Sequence, residues 1–160
     1  MGDLEVRAIV ANYGHFDHVL AVPYLRKKWD VPFMMNSLDM EILRLFGSYY
    51  PIGDTAPDVD LGEGDIIRVG NVDIVVIHTP GHTPGSICLY LKEDKILFTG
   101  DTLFKGAYGR TDLPGGDPEQ MFDSLRKIFG MFPTDYRVFP GHGEETVLGV
   151  EKKYYIYLLD

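Results

Sequence analysis

Asn12-Tyr13-Gly14-His15-Phe16-Asp17-His18 is the stretch from which the rest of the chain is read. It follows the apolar run Val6-Arg7-Ala8-Ile9-Val10-Ala11, whose β-branched residues predict a buried strand that ends where the polar residues begin. His15, Asp17 and His18 put two imidazoles and a carboxylate within four residues at that strand's mouth. Both side-chain types ligate divalent zinc or iron, and a strand end restrains them better than a long loop does. Taken alone, His-x-Asp-His also occurs on solvated turns, so the rest of the chain has to decide.

Three further stretches share one layout, an apolar strand followed by a turn with a single candidate ligand. They are Ile77-His78-Thr79-Pro80-Gly81-His82-Thr83, Leu97-Phe98-Thr99-Gly100-Asp101-Thr102 and Val138-Phe139-Pro140-Gly141-His142-Gly143. Glycine beside each ligand lets the backbone turn sharply and approach whatever the ligand holds. Four of the five histidines, with Asp17 and Asp101, therefore stand at one kind of structural position. A reading in which each His is an unrelated core or surface residue has to accept that coincidence repeatedly.

The chain has 160 residues, 45% hydrophobic and 24% charged, which suits one globular domain over residues 1–160 with a substantial core. No apolar run approaches a membrane span, and the first residues lack the basic-then-apolar order of a signal peptide. Cys88 is the single cysteine and lies in an apolar strand pattern, so packing is its expected role. These features predict a cytoplasmic protein. With 24 acids against 15 bases, the formal net charge is −9, and no basic stripe is visible. That argues against nucleic acid and anionic membranes as partners. Carboxylates held ready for cations would give such an excess, and so would a merely soluble acidic surface.

Helical spacing of Val19, Val22, Leu25 and Trp29 predicts a helix over 19–28, with Pro23 in its first turn or at a kink. Val31–Met35 reads as a strand, and Asn36 or Ser37 caps a helix running to about Phe46. Residues 49–64 read as a surface loop. Two hairpins follow, Asp65–Val69 with Val72–Ile77 around Gly70-Asn71, and Ser86–Leu91 with Lys95–Thr99. Asp117-Pro118 starts a helix whose buried stripe is Met121, Phe122, Leu125, Ile128 and Phe129, and Tyr136–Phe139 is a last strand.

With these motifs in order, the sequence resembles the metallo-β-lactamase-fold hydrolases, and within them the short glyoxalase II-like (hydroxyacylglutathione hydrolase) branch. The resemblance runs from about Val6 to about Lys153. It rests on His15-Phe16-Asp17-His18, Thr79-Pro80-Gly81-His82-Thr83-Pro84-Gly85-Ser86, Thr99-Gly100-Asp101-Thr102-Leu103-Phe104, the Gly109–Asp117 loop and Pro140-Gly141-His142-Gly143. It implies an α/β fold, an αββα sandwich, and two metals about 3.5 Å apart. Carried over by position, His15 and His82 serve the first metal, Asp17, His18 and His142 the second, and Asp101 bridges both. The implied reaction is attack of a metal-activated hydroxide on a small thioester, possible substrates including a glutathione thioester. The catalytic assignment falls on Asp17 and Asp101. Arg110 and Tyr13 are the candidate substrate-binding residues. The guanidinium of Arg110 suits a substrate carboxylate, and equally an internal salt bridge with Asp112 or Asp117. His78 reads as a supporting or packing residue rather than a ligand.

Two departures from the family pattern carry expectations of their own. The first motif is usually Thr-His-x-His-x-Asp-His, and here Asn12 and Tyr13 stand in the Thr and His places. A phenol ligates only as phenolate, which is costly for zinc at neutral pH, although Tyr-ligated iron is conceivable. One well-held zinc, a weak or altered first site and reduced turnover are therefore expected. The family also begins with several strands before this motif, whereas this chain starts almost at it. The expectation is a sandwich shortened at its amino end, with an open sheet edge that favours a homodimer or strand-exchanged assembly, or an engineered or shortened form of a longer protein. The aromatic tail Lys153–Leu159 is expected to pair with such an edge. The rival readings are a non-catalytic metal-binding scaffold and a non-haem iron dioxygenase of the persulfide type, which shares the Gly-Arg-Thr-Asp loop.

Overall fold

Two β-sheets face each other, and helices cover both outer faces. The computed structural model describes residues 4–50, 52–53 and 55–158. The smaller sheet comprises β1 (Ile9–Val10), β2 (Phe33–Met35) and β3 (Val59–Asp60), all parallel. The larger contains β4 (Ile66–Val69), β5 (Val72–His78), β6 (Ile87–Leu91), β7 (Ile96–Gly100), β10 (Arg137–Pro140) and β11 (Thr146–Val147), in spatial order β11-β10-β7-β6-β5-β4. A hairpin of β8 (Leu103–Phe104) and β9 (Ala107–Tyr108) stands apart.

The strand period of two divides the apolar residues between the layers. On β5 and β6, Val76, Ile87 and Leu89 meet Val10, Met34 and Leu61 between the sheets. The alternate residues Ile77 and Cys88 face the opposite way, against Met121, Leu125, Ile128 and Phe129 of α4 (Pro118–Met131). α5 (Leu148–Tyr154) covers the same face through Leu148. The outer face of the small sheet is covered by α1 (Phe16–Val19), α2 (Val22–Trp29) and α3 (Met40–Gly47), through Val19, Val22 and Leu43 packed on Phe33 and Met35. The architecture is the αββα sandwich expected from the sequence. Among the described residues, no helix is long and apolar enough to cross a membrane.

Both hairpins form in the expected register, with Val69 opposite Val72 and Leu91 opposite Ile96. Asp117 caps α4 by accepting from the backbone N–H groups of Glu119 and Gln120. Other expectations are corrected. The helix expected over 19–28 is two pieces, because Pro23 has no N–H to donate and its ring crowds the preceding turn, so it takes the first turn of α2. The segment expected as a surface loop contributes β3 and buries Ile52, Thr55 and Leu61. The aromatic tail is helical rather than a pairing strand, with α5 followed by a 3-10 turn at Ile156–Leu158, and Leu159 lies outside the described residues.

Candidate metal centre

The ligand-bearing turns gather at one end of the sandwich, and each is held there by backbone. Gly141 N–H donates to the Gly100 carbonyl at 2.8 Å, which seats the His142 turn on the Asp101 turn. The Ile87 N–H donates to the Asn12 carbonyl, and the Asn12 side-chain amide donates back to the Ile87 carbonyl, both at 2.8 Å. Asn12 thereby ties the end of the small sheet to the large one. Gly100 has φ +49, and a Cβ there would stand 2.6 Å from that of Asn12. A Cβ on Gly141 would collide with Asp101 Oδ1 and lie 2.9 Å from His18 Cε1. The glycines expected beside the ligands are thus required at these turns by close approach.

The side chains converge. His18 Nε2 is 3.1 Å from His142 Nε2, and Asp17 Oδ2 is 3.2 Å from the latter. The ligand atoms of Asp17, His18 and His142 all lie within 4.8 Å of one another. Asp101 joins them, with Oδ1 3.8 Å from His18 Nε2 and Oδ2 3.6 Å from His142 Nε2. On its other side, Asp101 Oδ2 is 3.7 Å from His82 Nε2, which lies 3.0 Å from His15 Nδ1. His82 Nδ1 donates to the Arg110 carbonyl at 2.7 Å, so its Nε2 faces His15 and Asp101 with a lone pair. His15, His82 and Asp101 are buried, whereas His142 is exposed.

Burial, reinforced by the His82 imidazole, pushes the His15 pKa down to about 4, and burial likewise lowers that of His18. Tyr13 is buried with its ring centre 4.3 Å from that of His18, 4.8 Å from His82 and 5.2 Å from His15. Burial, together with the nearby Asp101 charge, lifts its pKa well above that of an ordinary phenol. Asp101 Oδ1 and His15 Nε2 are buried polar atoms with no hydrogen-bond partner. A native fold rarely leaves such atoms unpaired without a functional reason. Asp17, His18 and His142 present nitrogen and oxygen donors to one point with Asp101 beside them, a set that fits divalent zinc or iron.

Two singled-out residues have other engagements. His78 donates from Nε2 to the Pro84 carbonyl at 2.8 Å, supporting the turn that carries His82. Arg110 pairs with Asp112 through Nε and Nη2 at 2.6 and 2.7 Å, the internal salt bridge weighed above, while still lining the cavity over the site.

Asp39 was missed by the sequence reading. It is fully buried and accepts from Gly14 N–H at 2.7 Å, Gly85 N–H at 2.6 Å and the Thr83 hydroxyl at 2.7 Å. It therefore binds the turn before His15 to the turn after His82. Burial raises its pKa, while those three hydrogen bonds act in the opposite direction. The signal was available, since Asp39 precedes the buried Ile42 and Leu43 by three and four residues. Helical spacing thus puts a carboxylate on a buried face, where it needs donors.

Comparison with known proteins decides the family. The description "Metallo-beta-lactamase superfamily" matches residues 2–142. The chain belongs to the metallo-beta-lactamase superfamily. Membership in this superfamily of metallo-hydrolases implies that the chain binds a divalent metal. An uncharacterized protein of Aquifex aeolicus (strain VF5) is 46% identical over 158 residues, covering 95% of this chain and 75% of the relative. The hydroxyacylglutathione hydrolase GloC of Haemophilus influenzae is 33% identical over 168 residues, covering 94% of this chain and 75% of GloC. Among solved structures, TTHA1623 in a di-iron-bound form is 38% identical with a TM-score of 0.82, over 94% of this chain and 76% of that one.

Proposed function

We propose that this metallo-beta-lactamase superfamily chain is a metal-dependent thioester hydrolase of the glyoxalase II-like kind, with one firmly held divalent ion. The observation that carries the reading is the convergence of Asp17, His18 and His142 on one point beside the unpartnered Asp101 Oδ1. These four residues would hold the ion. When bound, it supplies a water acidic enough to be hydroxide near neutral pH and polarises the substrate carbonyl. His15 and His82 form the second, weaker position. Tyr13 stands at the sequence position of a third imidazole in the family pattern, and its ring packs against those of His15 and His82.

The chain's own groups set the rest of the reaction. Asp17, partly exposed at the cavity, accepts the proton of the attacking water. Hydrolysis forms one carbon–oxygen bond from water and breaks the acyl carbon–sulfur bond. The electron pair leaves with the sulfur, which takes up the proton held by Asp17 and departs as thiol, and the acid product releases its proton to solvent and departs as carboxylate. No protein nucleophile is called for, and Cys88 is unsuited to be one, since burial pushes its thiol up to about 11.

Hydrolysis of a thioester panel by zinc-loaded and iron-loaded protein, before and after chelator treatment, tests this reading. Thioester cleavage restored by metal and abolished in His142→Ala is expected. Bound metal with no cleavage of any thioester would favour the scaffold reading instead.

A further inference from the structure

A cavity of about 640 Å³ opens over the metal centre. Apart from the ligands and Tyr13, its wall is built from Phe16, Phe46, Phe104, Ala107, Tyr108 and Leu113, with Arg110 as the one cationic side chain. The aromatic side of this wall is braced, because Phe16 stacks on Tyr50 with ring centres 3.9 Å apart and Phe46 packs edge-on to His15 at 5.2 Å. Asp112 pairs with Arg110 through Nε and Nη2 and so neutralises much of its charge, and Lys105 beside Phe104 is paired with Glu144 at 2.6 Å. Asp17 adds a carboxylate to the same cavity, and the chain carries a formal charge of −9.

This wall does not match a glutathionyl group, which brings two carboxylates that need cations. It matches hydrocarbon, for which burial against apolar side chains is the driving force. We propose that the substrate carries an apolar acyl group of several carbons, seated on the Phe46, Phe104 and Leu113 wall, and that the thiol part contributes little to recognition. The proposal rests on the thioester-hydrolase reading and deepens it by naming the substrate class.

The test is a set of acetyl, butanoyl and hexanoyl thioesters of N-acetylcysteamine and of glutathione, hydrolysed by the zinc-loaded protein. A fully buried methylene corresponds to about a four-fold gain in kcat/KM. Hexanoyl is therefore expected to exceed acetyl by about ten-fold or more, allowing for partial burial. Exchange of N-acetylcysteamine for glutathione is expected to change kcat/KM by less than about three-fold. Phe46→Ser and Leu113→Ser should each narrow the hexanoyl-to-acetyl ratio. A ratio flat with chain length, or a preference of about ten-fold or more for the glutathione series, would overturn the proposal. If no thioester is cleaved, calorimetric binding of hexanoate and acetate to the same protein separates the two claims. Tighter binding of hexanoate by about ten-fold keeps the apolar cavity assignment while hydrolysis falls, and equal affinities overturn the assignment itself.

Discussion

His18 and His142 stand 124 residues apart in the chain, yet their Nε2 atoms are 3.1 Å from each other. At that separation two imidazoles either share one proton or face a common cation. Asp17 Oδ2 lies 3.2 Å from one of them and Asp101 Oδ1 lacks any hydrogen-bond partner, so a shared cation would satisfy all four side chains. The closeness depends on Gly141, whose missing Cβ is what lets the His142 turn sit against Asp101 and His18. Gly141→Ala is expected to weaken metal binding by about ten-fold or more, as loss of ligand support commonly does. Competition against a chromophoric chelator measures this, and unchanged affinity would contradict the packing account.

Asp39 is expected to matter for stability as well as for the site. Asp39→Ala leaves the Gly14 and Gly85 N–H groups and the Thr83 hydroxyl without their acceptor in a buried setting. The loss should be roughly 3 kcal/mol in urea unfolding, with Asp39→Asn intermediate because it keeps one acceptor oxygen. A change below about 0.5 kcal/mol would place Asp39 outside the framework.

Metal-free protein should lose stability as pH falls from 6.5 toward 4. The folded chain holds His15 at about 4, against 6.5 in the unfolded chain, so the unfolded state takes up the proton first. Stability therefore rises with pH across that window, and His15 alone contributes up to about 3 kcal/mol that is gone near pH 4. His18 is shifted the same way and adds to the trend. Urea midpoints between pH 7 and pH 4.5 check this, and His15→Asn should flatten the curve. A parent curve that is already flat would contradict it.

Tyr13→His supplies the ligand type that the family pattern has at this position. It should raise the number of ions retained per chain and increase thioester turnover by about ten-fold or more, through better polarisation of the carbonyl. Higher metal content with unchanged turnover would mean that the second ion contributes nothing to the chemistry.

Much of this arrangement was legible from local sequence, because each ligand follows an apolar strand and precedes a glycine turn. His15, Asp17, His18, His82, Asp101 and His142 each stand out by that local pattern alone, and the Gly70-Asn71 hairpin follows from turn chemistry. What stayed hidden depends on contacts between distant segments. β3 is a two-residue strand defined only by its pairing with β2, and nothing in the Gly- and Asp-rich stretch around it signals a strand. Helical spacing puts Asp39 on a buried face, but which donors it accepts from depends on the Gly14 and Gly85 turns meeting around it. The aromatic tail reads as β-prone from Tyr154, Tyr155 and Tyr157, but Tyr155 packs on Phe129 at the end of a helix, and packing overrides propensity there.

Counting metal ions per chain tests the central claim most directly. The purified protein is loaded with excess zinc, desalted and submitted to elemental analysis alongside His142→Ala. One tightly retained ion per parent chain, lost in the variant, is expected from a centre built on Asp17, His18, His142 and Asp101 with Tyr13 occupying the neighbouring position. Two retained ions, or none, would contradict it.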